Sequence, residues 1–164
     1  MSFEIGIILG STRHSSNTSG LSNFLSRCLS SNYPLISSQI RRWSETVLAW
    51  DGMIILSPQY NWGYPAILKN SLDHLFHEWV KMPLSLLTFG GHGGSKCAEG
   101  LKVVCQGGMK MSLTDINLQI SLPTEYIRGQ DRVKGVEDWL NVYQEDLGLM
   151  IDQLISLMEK RKEE

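Results

Sequence analysis

At 164 residues, with 42% aliphatic, aromatic and cysteine residues and 20% charged ones, the chain suits one compact domain over 1–164. That balance excludes a disordered or membrane-embedded protein, and a formal charge of −2 without a basic cluster argues against nucleic acid as the main partner. No apolar run approaches a membrane span, and the first strand starts too early for a signal peptide. Cys28, Cys97 and Cys105 fall in no zinc or C-x-x-C spacing, so free thiols and a reducing, cytoplasmic setting are expected.

Phe3 to Leu9 is short, apolar and stopped by Gly10, as in a buried parallel strand. Leu21, Phe24, Leu25, Cys28 and Leu29 then recur at helical spacing. A second helix is predicted over Ser38 to Trp50, burying Ile40, Trp43, Val47 and Trp50. The buried run Gly52 to Leu56 comes next, followed by a helix that Pro65 can open, with Leu68, Leu72, Leu75, Phe76 and Trp79 on its stripe. Pro83 to Phe89 predicts another strand, and Ser95 to about Gln106 a helix facing Ala98, Leu101 and Cys105 inward and ended by Gly107-Gly108. Met111 to Leu122 reads as the last strand, Pro123 to Lys134 as loop, and Val136 to Lys160 as a long amphipathic helix. Strands and helices alternating in this way give βαβ units and a parallel sheet.

Loops that follow successive strands of such a sheet share its carboxyl edge, where open α/β folds bind ligands. Gly10-Ser11-Thr12-Arg13 offers hydroxyls, a guanidinium and a helix start that suit a phosphate, although ordinary capping would use the same residues. It matches neither a Walker A loop nor G-x-G-x-x-G, and points to phosphate held by side chains. Ser57 to Pro65 (SPQYNWGYP) places ring faces and amides at the edge, fit to stack on a flat heterocycle and read its rim, or simply to make a turn with half-buried rings. Gly90 to Gly94 (GGHGG) lets backbone approach a flat ligand, or is a mere turn.

The pattern G-S-x-R at Gly10 to Arg13, S-P-Q-Y-N-W-G-Y-P-A-x-L-K-N-x-x-D at Ser57 to Asp73 and G-G-H-G-G-S-K at Gly90 to Lys96 resembles the NADPH-dependent FMN reductase family. The resemblance implies a flavodoxin-like three-layer α/β/α sandwich, bound FMN, NAD(P)H as co-substrate and a homodimer. It implies that Ser11 and Arg13 hold the FMN phosphate with Ser16 and Asn17 as helpers. Pro58, Gln59, Tyr60, Asn61 and Trp62 would border the isoalloxazine, and Gly91, His92 and Gly93 would flank its pyrimidine end. Hydride would pass from NAD(P)H through flavin N5 to a quinone, free flavin or azo acceptor in a ping-pong cycle, with no catalytic side chain required. The alternative is a flavin-binding redox sensor or interaction module without substantial turnover.

One departure stands out. Only Ser30 to Ser37 (SSNYPLIS) separates the first two predicted helices, where the family usually has a second strand. That edge strand is therefore expected to be missing or vestigial, leaving four full strands with Phe3 to Leu9 at or next to the edge and at most a fragment near residues 33–36 beside it. His74 and His77 form an H-x-x-H pair pointing away from the apolar stripe, and a solvated face rather than a metal is expected. His92 is the one histidine in a predicted site loop, either touching a ligand or simply exposed. Trp62 and Tyr64 have few apolar neighbours in sequence, and are expected to meet a second subunit.

Overall fold

Runs that are apolar at every position can be buried only where both faces of a sheet are covered. In the computed structural model, which describes residues 4–9, 17, 21–22 and 40–163, two such runs form the middle of a parallel sheet. They are β2 (Gly52–Pro58), buried at every position, and β3 (Pro83–Gly90), buried at all but its last. β1 (Ile5–Leu9) pairs with β2 in register Ile5 to Gly52, and β3 lies on the other side of β2 with Met53 opposite Leu84. Beyond β3 come two short pieces, β4 (Ser112–Leu113) and β5 (Leu118–Ser121), both parallel to it. The order β1-β2-β3-β4/β5 amounts to four strand positions among the described residues.

Alternate residues of the strands point into two cores. On one side Met53, Ile55, Leu84 and Leu86 meet α1 (Ile40–Leu48), α2 (Ala66–Asp73) and α3 (Ser95–Lys102) through Val47, Leu72 and Leu101. On the other, Ile54, Leu56, Leu87 and Phe89 meet Leu21 and the carboxyl-terminal helix α5 (Gln144–Glu163) through Met150, Leu154 and Met158. Helix, sheet and helix thus make three layers, as expected from the sequence. α5 carries Glu145 and Asp146 in its first turn and Lys160, Arg161 and Lys162 in its last, the arrangement its dipole favours. Lys162 pairs with Asp51 at 3.1 Å, tying this helix to the segment that enters β2.

Several boundaries differ from expectation. α1, described from Ile40 onward, ends at Leu48 rather than Trp50, and Ile40 is 56% exposed rather than buried. α2 stops at Asp73, and a 3-10 turn at His77–Trp79 swings the Trp79 indole back so that its Nε1–H donates to the Leu72 carbonyl at 2.9 Å. Trp79 is fully buried by that reversal, and Phe76 is left on the surface. α3 widens into a π-helical segment, Val103–Gly108, which runs through the two glycines expected to end it. The last strand is broken at Thr114–Asn117, where the Asn117 side-chain Oδ1 accepts the Leu86 N–H at 2.9 Å in place of a strand carbonyl. The connector at 30–37 lies outside the described residues.

Among those residues β1 is paired only with β2, whereas β2 is paired on both sides. Amide hydrogen exchange should therefore show weaker protection in Ile5–Leu9 than in Gly52–Pro58. Equal, strong protection would mean that the outer edge of β1 is covered.

Candidate functional site

The loop after β2 is held by a tight reversal. Tyr60 and Gly63 exchange both N–H to carbonyl bonds at 2.9 Å, with φ of 46° at Asn61 and 69° at Trp62 between them. Positive φ at both central positions is the type I′ hairpin pattern, which favours Asn followed by Gly. Asn61 suits its place, but Trp62 is strained there, since a bulky residue rarely adopts positive φ. Trp62 is nevertheless 70% exposed, so packing among the described residues offsets little of the strain. Strain retained at a surface loop is a common mark of a binding site. Tyr64, expected with Trp62 at a subunit interface, is half-buried and lays its ring on α3, where a Cβ on Gly100 would lie 3.0 Å from it.

The loop after β3 is built on two left-handed glycines, Gly93 and Gly94, at φ of 66° and 76°. A Cβ on Gly94 would come within 2.7 Å of the Phe89 nitrogen, so the loop folds flat against its own strand. Thr88 Oγ1 donates to the Gly93 carbonyl at 3.0 Å and locks the bend. Gly93 and Gly94 are buried by it, while Gly91 and His92 stand exposed at the tip. The predicted trio Gly91, His92 and Gly93 is therefore divided: two residues face outward and one packs on Gln119 of β5.

Gln59 joins the two loops. Its backbone N–H donates to the Phe89 carbonyl at 2.9 Å, and its side-chain Oε1 accepts the Lys96 N–H in the first turn of α3 at 2.9 Å. That oxygen is committed to α3, and the NH2 end, with two donors, is the part suited to read a ligand. Pro58 is buried at the end of β2, and Tyr60 is half-buried. Ser11, Arg13 and Ser16 lie outside the described residues. Asn17 is described: its Nδ2–H donates to the Tyr126 carbonyl at 2.8 Å and its Oδ1 accepts the Val133 N–H at 3.0 Å.

Those bonds bring in a fourth loop, running from Pro123 to Glu137 after β5, which the sequence marks as loop over Pro123 to Lys134 but does not tie to the site. It includes one helical turn, α4 (Thr124–Ile127). The rule that placed three loops on one edge applies to it equally, because β5 is parallel to β3. At its far end Glu137 gathers the N–H groups of Lys134, Gly135 and Val136 at 2.7, 2.8 and 3.0 Å. Burial pushes this carboxyl up, and the backbone N–H groups of Lys134, Glu137, Gly135 and Val136 together hold it below the ordinary 4.5. A depressed folded value means that the stabilisation is full above the unfolded pKa and is lost as pH falls through the folded one. NMR titration of the Gly135 and Val136 amides should show a midpoint below 4.5, absent in Glu137→Gln. A midpoint at or above 4.5 would contradict this.

Among the described residues no side chain here is poised as a nucleophile or a metal ligand. Burial pushes the Cys97 thiol up to about 11, against the opposing effect of its hydrogen bond to Ser57, and burial pushes Cys105 up to about 12. Both thiols stay protonated and inert. His74 and His77 are exposed, as expected, and no metal-binding cluster of His, Cys, Asp or Glu occurs among the described residues. Nor is any described helix long and apolar enough to cross a membrane. What the described part of the edge offers instead is the exposed Gly91-His92 tip of the glycine loop and, on the loop that Gln59 joins to it, the exposed Trp62, groups suited to a planar heterocycle.

Comparison with known proteins agrees with that geometry. A sequence model of the NADPH-dependent FMN reductase family matches residues 32–119. An NAD(P)H-dependent FMN reductase of Schizosaccharomyces pombe is 45% identical over 98 residues, covering 60% of this chain and 46% of that protein. An FMN-dependent NADPH-azoreductase of Staphylococcus haemolyticus is 30% identical over 128 residues, covering 75% of this chain and 64% of that protein. This chain thus spans about half to two thirds of the length of these relatives. Among solved structures, FerB, a flavoenzyme NAD(P)H:(acceptor) oxidoreductase of Paracoccus denitrificans, superposes with a TM-score of 0.72 at 16% identity, covering 97% of this chain and 98% of that one. The superposition shows the flavodoxin-like parallel α/β fold expected from the sequence. The chain belongs to the NADPH-dependent FMN reductase family.

Proposed function

We propose that this chain is an FMN-dependent NAD(P)H oxidoreductase, acting as one domain and passing electrons to a quinone, free flavin or azo compound. The observation that carries the reading is the meeting of the β2 and β3 loops at one sheet edge, joined by the Gln59 to Lys96 bond. FMN, when bound, would supply the redox chemistry that couples NAD(P)H oxidation to reduction of the acceptor. The chain's part is to bind and orient. Ser11 and Arg13 would hold the phosphate with Ser16 and Asn17 as helpers, and Pro58, Gln59, Tyr60, Asn61 and Trp62 would border the ring system. The ledge of Gly91, His92 and Gly93 would meet the pyrimidine end, where backbone N–H groups favour negative charge. The free thiols of Cys97 and Cys105 support a reducing, cytoplasmic setting.

The test is steady-state oxidation of NADPH by the FMN-loaded protein with a quinone or an azo dye. Parallel double-reciprocal lines are expected of a ping-pong cycle. Turnover near zero on flavin-loaded protein would favour a redox sensor or interaction module, and failure to take up FMN would dismiss both readings.

The strained, exposed Trp62 supports a homodimer with this ring at the interface. Light scattering of the flavin-loaded protein at micromolar concentration should give a dimer mass. Trp62→Ala should weaken that dimer by about 30-fold, the effect of losing a central aromatic anchor worth roughly 2 kcal/mol. A monomer mass for the unmutated protein would refute it.

A further inference from the structure

β5 and the Pro123 to Glu137 loop after it reach the glycine loop by three contacts, two from β5 and the residue that follows it and one, Ile127, from the loop itself. Leu122 N–H donates to the Gly90 carbonyl at 2.9 Å. A Cβ on Gly91 would lie 3.3 Å from Ile127 Cδ1, and one on Gly93 would lie 3.0 Å from Gln119 Cβ. Ile127 is nevertheless 48% exposed, an apolar side chain left open at the lip of the ledge. From the opposite direction the segment is gripped by Asn17. The polarity is correct at both ends of its carboxamide, with the NH2 on a carbonyl and the oxygen on an N–H. These bonds land on residues 126 and 133, so one side chain spans most of the loop. The Tyr126 ring then leans on Trp139 at 5.6 Å, and the buried Trp139 Nε1–H has no hydrogen-bond partner among the described residues.

We infer that residues 122–137 form a fourth wall of the flavin site, and that Asn17 is the positioning residue that holds this wall against the glycine ledge. The inference rests on the flavin reading above. A ligand that touches the docked wall binds that form better, so occupancy and docking reinforce each other by linkage. The two bonds of Asn17 account for one donor and one acceptor of the amide, which has a further N–H through which it can sense a neighbouring phosphate.

Trypsin is a direct probe, because Arg128, Arg132 and Lys134 lie within the wall. Full-length wild type and Asn17→Asp would be digested with and without FMN, at flavin concentrations that saturate each protein as judged by quenching of flavin fluorescence. The aspartate still accepts the Val133 N–H but sets an oxygen against the Tyr126 carbonyl. FMN should slow cleavage in the wall about tenfold in the wild type, and less than about threefold in the variant. A purely structural role would speed cleavage with and without FMN by the same factor, leaving that ratio unchanged. Should the variant fail to fold, amide exchange of Val133 in the wild type carries the test, since its N–H is the one Asn17 accepts: FMN should slow it. Bound FMN that changes neither wall cleavage nor Val133 exchange in the wild type overturns the wall. An FMN effect on cleavage equal in both proteins overturns the role of Asn17. A wild type that takes up no FMN at all overturns the flavin reading and this inference together, a result the quenching step distinguishes from the other two.

Discussion

Gly94→Ala is expected to destabilise the protein by about 2–5 kcal/mol, combining a left-handed backbone penalty of roughly 1–2 kcal/mol with overpacking of roughly 1–3 kcal/mol. The added methyl would sit 2.7 Å from the Phe89 nitrogen and 2.9 Å from Thr88 Cβ. Both neighbours belong to a central strand with no room to retreat. Relief would come only from lifting the loop off β3, which would break the Thr88 to Gly93 bond and tilt the ledge away from its ligand. Urea denaturation measures the stability loss, and flavin titration the loss of the ledge. Gly107→Ala is the matched control: it lies in a helical segment with no atom within 4 Å of the new methyl, so it should be neutral or stabilising by about 0.5–1 kcal/mol. If Gly94→Ala unfolds no earlier than Gly107→Ala, the close packing of the glycine loop on its strand is not a constraint.

Arg13→Ala is expected to weaken FMN binding by roughly 1.5–3 kcal/mol, or about 10- to 150-fold, the scale of a charge-assisted hydrogen bond to phosphate. Arg13 is the one cation in the segment from Gly10 to Asn17 other than the weakly basic His14, so no neighbour in sequence can replace it. Riboflavin has no phosphate and should bind mutant and wild type about equally. That control separates a lost phosphate contact from general damage to the site. Unchanged FMN affinity by isothermal titration would remove Arg13 from the binding residues.

Much of this fold was legible residue by residue. Gly52-Met53-Ile54-Ile55-Leu56 and Pro83-Leu84-Ser85-Leu86-Leu87 are buried throughout, and runs of that kind permit only a covered parallel strand. The alternation of strands with amphipathic segments then settled which loops share an edge, and hence that Gln59 and the glycine loop would be neighbours. Local sequence determined the bends as well, since Asn61 and Gly93-Gly94 supply the positive φ that those turns require. Tertiary structure decided the rest, because each remaining choice turned on a partner distant in sequence. Phe76 and Trp79 compete for one place against the sheet, and Trp79 wins because its indole N–H finds the Leu72 carbonyl, which ends α2 early. The break between β4 and β5 is tolerated because Asn117 returns a hydrogen bond to Leu86, and Gln153 of α5 satisfies the freed Ile116 N–H at 2.9 Å. Asn17, by type a capping or phosphate-binding residue, is committed to residues 126 and 133 of a loop that no local periodicity marks. Sequence by itself determined the layers, the shared edge and the family. Only the packed structure could assign those long-range hydrogen bonds, because their partners are more than a hundred residues from Asn17 and no local pattern brings them together.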